Sequence, residues 1–322
     1  MESLAKLGVC ARMLLSEVES AAVGARDDFV PGDDYFAALK EPFGTESLGL
    51  GIGPLCLRLD GLSWRQAANL EHRFRPFVGH PAGIPDVRVS LRPARVKGFL
   101  SSPEVGRLET YRLESRARDD RTALWSYEFA GTVEPARRRA LLALVEPEGP
   151  LFDRGLENFL RVLTASFSLE SGGFLLHASA VVRHGRSYVF FGPSGSGKTT
   201  VTRLSPEDVV LSDDLTLVVH TCGHYAASGI PFGMAHHRVP DTNGSFPIAS
   251  LNRLVQSREV RREPLVGARA VAEVASSLPF VMQETGQAQR AVEVVARALR
   301  ETPAYRLHFR PDASFWDAVQ ER

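Results

Sequence analysis

The chain predicts an α/β domain of the phosphate-loop type over residues 147–322, preceded by an α+β domain over residues 1–146. Three observations carry that expectation. Short segments alternating apolar and polar residues fill 47–145, continuous apolar runs begin after Gly172-Gly173, and a glycine-rich stretch at 192–199 follows one of those runs. Alternation marks strands with one buried face, and unbroken apolar runs mark strands buried on both faces.

Taken in order, Leu4, Leu7, Ala11, Leu14, Leu15 and Val18 recur at helical spacing, so 3–21 reads as an amphipathic helix docked on the body. Residues 22–46, rich in Gly, Pro and Asp, read as loop. Alternating strands are expected at 55–59, 87–91, 108–113 and 124–129 as an antiparallel sheet, with one helix at 64–74. Arg137-Arg138-Arg139 caps a turn before a strand. Pro147 and Pro150 mark the boundary, and 152–169 places Leu156, Phe159, Leu160, Leu163 and Phe167 on one helical face. The apolar runs 174–176, 188–191 and 209–211 suit a parallel sheet. Helices near 267–276 and 290–300, a strand at 305–309 and a short helix around Trp316 complete the chain.

Composition narrows the function classes. The 322 residues carry zero formal net charge, 44% hydrophobic and 24% charged residues. No global field draws the chain to nucleic acid or to an anionic membrane. Cys10, Cys56 and Cys222 are widely spaced and form no CxxC pair, as in a reducing compartment. Glu2, Lys6 and Glu17 interrupt the apolar residues near the N-terminus, so no signal peptide is read there, and no apolar run has the length of a membrane span. The expected location is the cytoplasm, with no membrane or nucleic-acid partner. A homo-oligomer stays open.

Gly192-Pro193-Ser194-Gly195-Ser196-Gly197-Lys198-Thr199 fits G-x-x-x-x-G-K-[ST] at every fixed position. Lys6, Lys40, Lys97 and Lys198 are the only lysines, which makes a lysine in this loop stand out. Glycines let successive backbone N–H groups turn inward around phosphate oxygens. Lys198 can then reach the β- and γ-phosphates of ATP, and the Thr199 hydroxyl can ligate Mg²⁺. Thr200 continues the binding segment. The run Val209-Val210-Leu211 ends on Ser212-Asp213-Asp214. A carboxylate pair at a strand end beside the loop can divide two tasks, one holding the metal and one accepting a proton. Asp214 and Thr199 are the candidate metal ligands, and either Asp could be the base. His177 lies in the strand preceding the loop strand, where a plain core histidine is the alternative.

Leu176-His177-Ala178-Ser179-Ala180, then Phe190-Phe191-Gly192 through Thr200, then Leu211-Ser212-Asp213-Asp214 together resemble the nucleotide-binding core of the HPr kinase/phosphorylase and phosphoenolpyruvate carboxykinase superfamily, over about residues 150–320. The resemblance implies Mg²⁺-dependent phosphoryl transfer from ATP to a hydroxyl, typically a serine of a small protein or peptide. It implies Lys198 and Thr199 as phosphate and metal residues, Asp213 and Asp214 as a base and metal pair, and His177 near the metal or the transferred group. Two departures stand out. HPr kinases usually carry a serine and a glutamate where this chain has Thr199-Thr200, and their Arg- and Gly-rich signature is not legible at 227–233. Both argue against HPr itself as the substrate.

The expectation is therefore an ATP-dependent kinase acting on a peptide or small protein, chosen by the N-terminal domain. A small-molecule hydroxyl kinase is the next choice. The rivals are an ATP-binding switch or scaffold and a carboxykinase-like lyase, the latter opposed by the lack of any lysine between Lys97 and Lys198. His236-His237-Arg238 could contact the acceptor, and Arg261-Arg262 could supply transition-state charge. A solvated loop and a surface ion cluster are the respective alternatives.

Overall fold

The computed structural model describes residues 28–79, 85–101, 112–232, 242–280 and 285–320. The expected helix at 3–21, most of the strand expected at 108–113, and His236-His237-Arg238 lie outside them. The described chain is mixed α/β with two sheets.

The first sheet holds seven strands: β1 (Glu46–Ile52), β2 (Leu55–Leu62), β3 (Val87–Pro93), β4 (Glu114–Arg118), β5 (Arg121–Trp125), β6 (Phe129–Glu134) and β7 (Arg139–Leu144), in the order β1-β2-β3-β7-β6-β5-β4. Leu57, Leu59, Val87, Val89 and Leu91 face inward and are buried, and the residues between them face solvent. The sheet is not wholly antiparallel, because β2–β3 and β3–β7 run parallel. The helix Trp64–Arg73 forms the β2–β3 crossover, which parallel neighbours require. A capping box starts that helix, with Ser63 accepting from the Gln66 N–H and Gln66 accepting from the Ser63 N–H. The single strand expected at 124–129 is two strands, because the chain reverses at Tyr127-Glu128 and the Ser126 N–H bonds the Phe129 carbonyl at 2.9 Å. Apolar residues on both sides of that turn hide it from periodicity. A short helix, Asp33–Ala38, occupies part of the expected loop at 22–46 and covers one end of the sheet's outer face.

Counting Asp33–Ala38 as α1 and Trp64–Arg73 as α2, the long helix α3 (Pro150–Glu170) follows the first sheet. It is buried along most of its length, and Phe159 packs edge-on against Phe129 of β6, with centroids 5.6 Å apart. Gly131 makes room for it, since a Cβ there would lie 2.5 Å from the Phe159 ring. Charged residues buried in α3 are paired: Arg161 bonds Glu157 at 3.2 Å and Asn158 at 2.7 Å, and Arg73 also pairs with Glu157. One apolar cluster runs from β1 through α3 into the second sheet, so the two sheets share a core across position 146/147.

The second sheet comprises β8 (Phe174–Arg183), β9 (Arg186–Phe191), β10 (Val209–Ser212), β11 (Leu215–Thr221), β12 (His224–Ser228), β13 (Ser245–Gln256), β14 (Arg261–Pro264) and β15 (Ala304–Phe309). The helices are α4 (Lys198–Arg203), α5 (Gly267–Ala275), α6 (Thr285–Glu301) and α7 (Phe315–Gln320). Among the described residues of this sheet only β13–β9 and β13–β15 pair in parallel; the other pairings are antiparallel. The expected parallel sheet is thus a mixed one. Continuous apolar runs report burial on both faces and carry no information about strand direction. The pairings β8–β11–β12–β13–β9–β8 close on themselves. Tight hairpins at His184-Gly185 and Cys222-Gly223, all four residues at positive φ, make this possible.

Candidate functional site

β8 organises the site. On one edge it pairs with β9, with Ala178 opposite Phe191, the last residue before the glycine loop. On its other edge it pairs with β10 up to Ser212 and with β11 from Leu215, which lies opposite His177. Asp213 and Asp214 form the bend between those two strands. The loop and the carboxylate pair therefore flank the same two residues of β8. Because β9 and β10 are both antiparallel to β8, their carboxyl ends point the same way.

The loop is shaped by its glycines. Gly192 has φ 153° and Gly197 φ 112°, both strained for any side chain. A Cβ at Gly197 would lie 2.5 Å from Phe309, and one at Gly192 would lie 2.9 Å from Ser196 and 3.3 Å from Arg253. Gln256 of β13 donates to the Gly195 carbonyl at 2.7 Å and holds the outer turn. Ser194 and Gly195 are exposed, and Thr199 and Thr200 are half-buried at the start of α4. The Ser196 hydroxyl is buried with no hydrogen-bond partner among the described residues.

Lys198 is buried inside the loop, donating to the carbonyls of Gly192 at 2.9 Å and Pro193 at 3.2 Å. Burial pushes its pKa below the ordinary lysine value; the nearby Asp214 charge pulls it up, and Arg253 adds to the lowering. Asp214 bonds His177, Oδ1 to Nε2, at 3.0 Å, and accepting groups remain reachable because these side chains are 21% and 39% exposed. The Asp214 N–H is held by the Ser212 hydroxyl at 3.2 Å. His177 is thus not packed in the core. Its backbone N–H donates to the Ser277 carbonyl, just past α5, at 2.9 Å. Asp213, in the same bend, is half-buried.

Sequence reading missed Arg253, Glu273 and Arg306. The parallel register sets Arg253 beside Phe191 on one side and Arg306 on the other. Glu273 of α5 gathers both, at 2.8 Å from Arg253 Nε and in contact with Arg306 Nη2. Burial alone would raise the Glu273 pKa, but the Arg306 hydrogen bond and the charges of Arg253 and Arg306 hold it below the usual glutamate value. Only strand pairing could have revealed this trio, since its members are far apart in sequence. Arg261 and Arg262 lie elsewhere, on the edge strand β14. Arg261 pairs with Glu263, while Arg262 stacks 3.4 Å from the Tyr305 ring centroid and donates to the Val319 carbonyl. Arg137-Arg138-Arg139 forms a turn into β7, with Arg138 in the left-handed region.

The donor set fits an anion: a buried ammonium, a guanidinium beside it and an unpartnered hydroxyl within a glycine cradle. Among the described residues no three His, Cys, Asp or Glu side chains gather into a metal site. Mg²⁺ in phosphate sites typically takes one or two carboxylates and completes its shell with phosphate and water.

Residues 159–321, half of the chain, match the family described as SynChlorMet cassette protein ScmC. The chain belongs to that family. This corrects the assignment to the HPr kinase and phosphoenolpyruvate carboxykinase superfamily, which rested on a strand, loop, helix and carboxylate pair. Short motifs of that kind can be shared without shared family. The match begins within α3, so β1 to β7 lie outside it. No curated protein matches the chain. Among the described residues no helix is long and apolar enough to cross a membrane.

Proposed function

We propose that the chain is an ATP- and Mg²⁺-dependent kinase that transfers the γ-phosphoryl group to a hydroxyl of a peptide or small protein. The observation that carries this reading is the meeting of Asp214, bonded to His177, with Lys198 inside the glycine loop. The loop amides, Lys198 and Arg253 bind the phosphates, and the Ser196 hydroxyl adds a donor. The acceptor oxygen attacks the γ-phosphorus as the bond to the ADP oxygen breaks, and Asp214 takes the acceptor's proton. His177 orients that carboxylate, which is why Asp214 rather than Asp213 is given the proton. Thr199 and Asp213 would hold Mg²⁺, which supplies charge neutralisation at the phosphate oxygens.

The first sheet supports a peptide acceptor, because the exposed β4 is an edge strand to which an extended chain can add, whereas the edge of β1 is bridged by Val78 and Gly79. A cytoplasmic location suits the use of ATP, and Cys56 and Cys222 are free thiols.

Labelled ATP, incubated with peptides encoded beside the gene and followed by mass spectrometry, tests the activity. Asp214→Asn should bind ATP normally yet cut transfer by about two to four orders of magnitude, the typical worth of a general base. His177→Gln should cut transfer less, with little change in melting temperature. Wild-type transfer by Asp214→Asn would sink the mechanism. Tight ATP binding with no transfer to any peptide or protein would favour a nucleotide-binding switch.

A further inference from the structure

We infer that the outer face of the first sheet is a docking site for an acidic peptide segment. Arg58 of β2, Arg88 of β3 and Arg139 of β7 stand in one cross-strand row, Arg58 in register with Arg88 and Arg88 with Arg139. They alternate with the buried Leu57, Val87 and Ala140, so all three lie on the side away from α3. Like charges directly opposite on a sheet repel. Asp60 relieves part of this, at 2.7 Å from Arg58 and 3.6 Å from Arg88. Glu134, in register with Arg139, pairs instead with Arg137 at 3.1 Å. Among the described residues Arg139 and Arg92 have no carboxylate partner, and the Arg92 Nε is enclosed without a hydrogen-bond partner.

A cavity of about 370 Å³ is lined by Arg88, Arg92, Arg139, Ser90 and Thr132 together with one carboxylate, Glu134. Guanidinium forks and hydroxyl donors are the groups that recognise oxyanions. The row crosses two interstrand spacings, about 10 Å, and Arg58 stands outside the lining of the cavity, so the guanidinium groups offer more than one anchoring point. A ligand with several separated negative groups suits it, and acidic side chains two residues apart on an extended peptide are spaced about 7 Å. Elsewhere on this face α1 and the segment 94–100 cover an apolar cluster, so the arginine row is its uncovered part.

The probe is a fluorescein-labelled octaglutamate peptide, titrated with the full chain by anisotropy without ATP, so that the result is independent of the kinase reading. Binding should be measurable at low ionic strength and weaken steeply with added salt. Arg139→Glu should lower affinity by about tenfold or more, and Arg88→Glu/Arg139→Glu further, while circular dichroism stays unchanged. If the double variant misfolds, the exposed single variant Arg139→Gln decides the same point by its weaker binding. Unchanged affinity in the Arg139 variants would overturn the proposal. So would displacement of the peptide by sulfate at concentrations matching the peptide's own, which would mark a site for free anions only.

Discussion

In the first sheet the inward side chains are apolar, the outward ones are charged where α1 and residues 94–100 do not cover them, and ion pairs such as Arg58–Asp60 lie at the solvent surface. At the loop end of the second sheet the arrangement is reversed. Lys198 is buried, Glu273 is enclosed among arginines, and Asp214 meets His177 between strand ends. Strands there are broken by a bend, and glycines sit where side chains would clash. The difference teaches where to look for chemistry: enclosing charge costs stability locally, and a ligand that uses the charge would account for that cost.

The comparison can be broken at its common support. Phe159→Ala should cost about 3–5 kcal/mol, as for large aromatic truncations in a core. Because α3 serves a core shared by both sheets, urea unfolding followed by circular dichroism and by tryptophan fluorescence should shift together. A variant in which one probe moves and the other stays would show that the sheets unfold separately.

A second substitution sharpens the contrast within the loop. Lys198→Met should weaken ATP binding by about a hundredfold or more, roughly 3 kcal/mol, yet leave stability within about 1 kcal/mol of wild type. The sign of the pH effect follows from the lowered lysine pKa. Above the ordinary lysine value both folded and unfolded chains carry neutral lysine, and the wild type has no penalty. As pH falls below that value the unfolded chain gains the proton first, so the folded wild type loses stability relative to Lys198→Met until the folded pKa is passed. Calorimetry of both proteins from neutral into the alkaline range should show the gap closing as pH rises. A gap independent of pH would mean that the burial of Lys198 is without energetic consequence.

The smallest effect belongs to the regular region. Ser63→Ala removes the cap of α2 and should cost about 1 kcal/mol with ATP affinity unchanged. A change in ATP affinity would couple the first sheet to the loop more tightly than the contrast allows.

Much of this was legible along the chain. Alternation found β2 and β3, the 3.6-residue period found α3, and the glycine–lysine spacing found the loop before any coordinates, because each pattern is local. The turn at Tyr127-Glu128 was invisible because apolar residues run through it, and the hairpin His184-Gly185 lacks the Asn-Gly or Asp-Gly pair that signals such turns. The family was misread, since a short glycine–lysine motif and a carboxylate pair can be shared by unrelated ancestries.

By itself, then, the order of residues determined elements such as β2, β3, α2 and α3, their buried faces and the presence of a glycine-rich loop with its lysine, because propensity, period and glycine geometry act over a few residues. The tertiary structure alone decided strand direction, the closed pairing of β8, β11, β12, β13 and β9, and the placing of Asp214 against His177 and of Arg253 beside Gly192. Those outcomes depend on register between segments 37 to 61 positions apart, read as His177 to Asp214 and Gly192 to Arg253. Register is set by the summed packing of whole sheets, which no local pattern encodes.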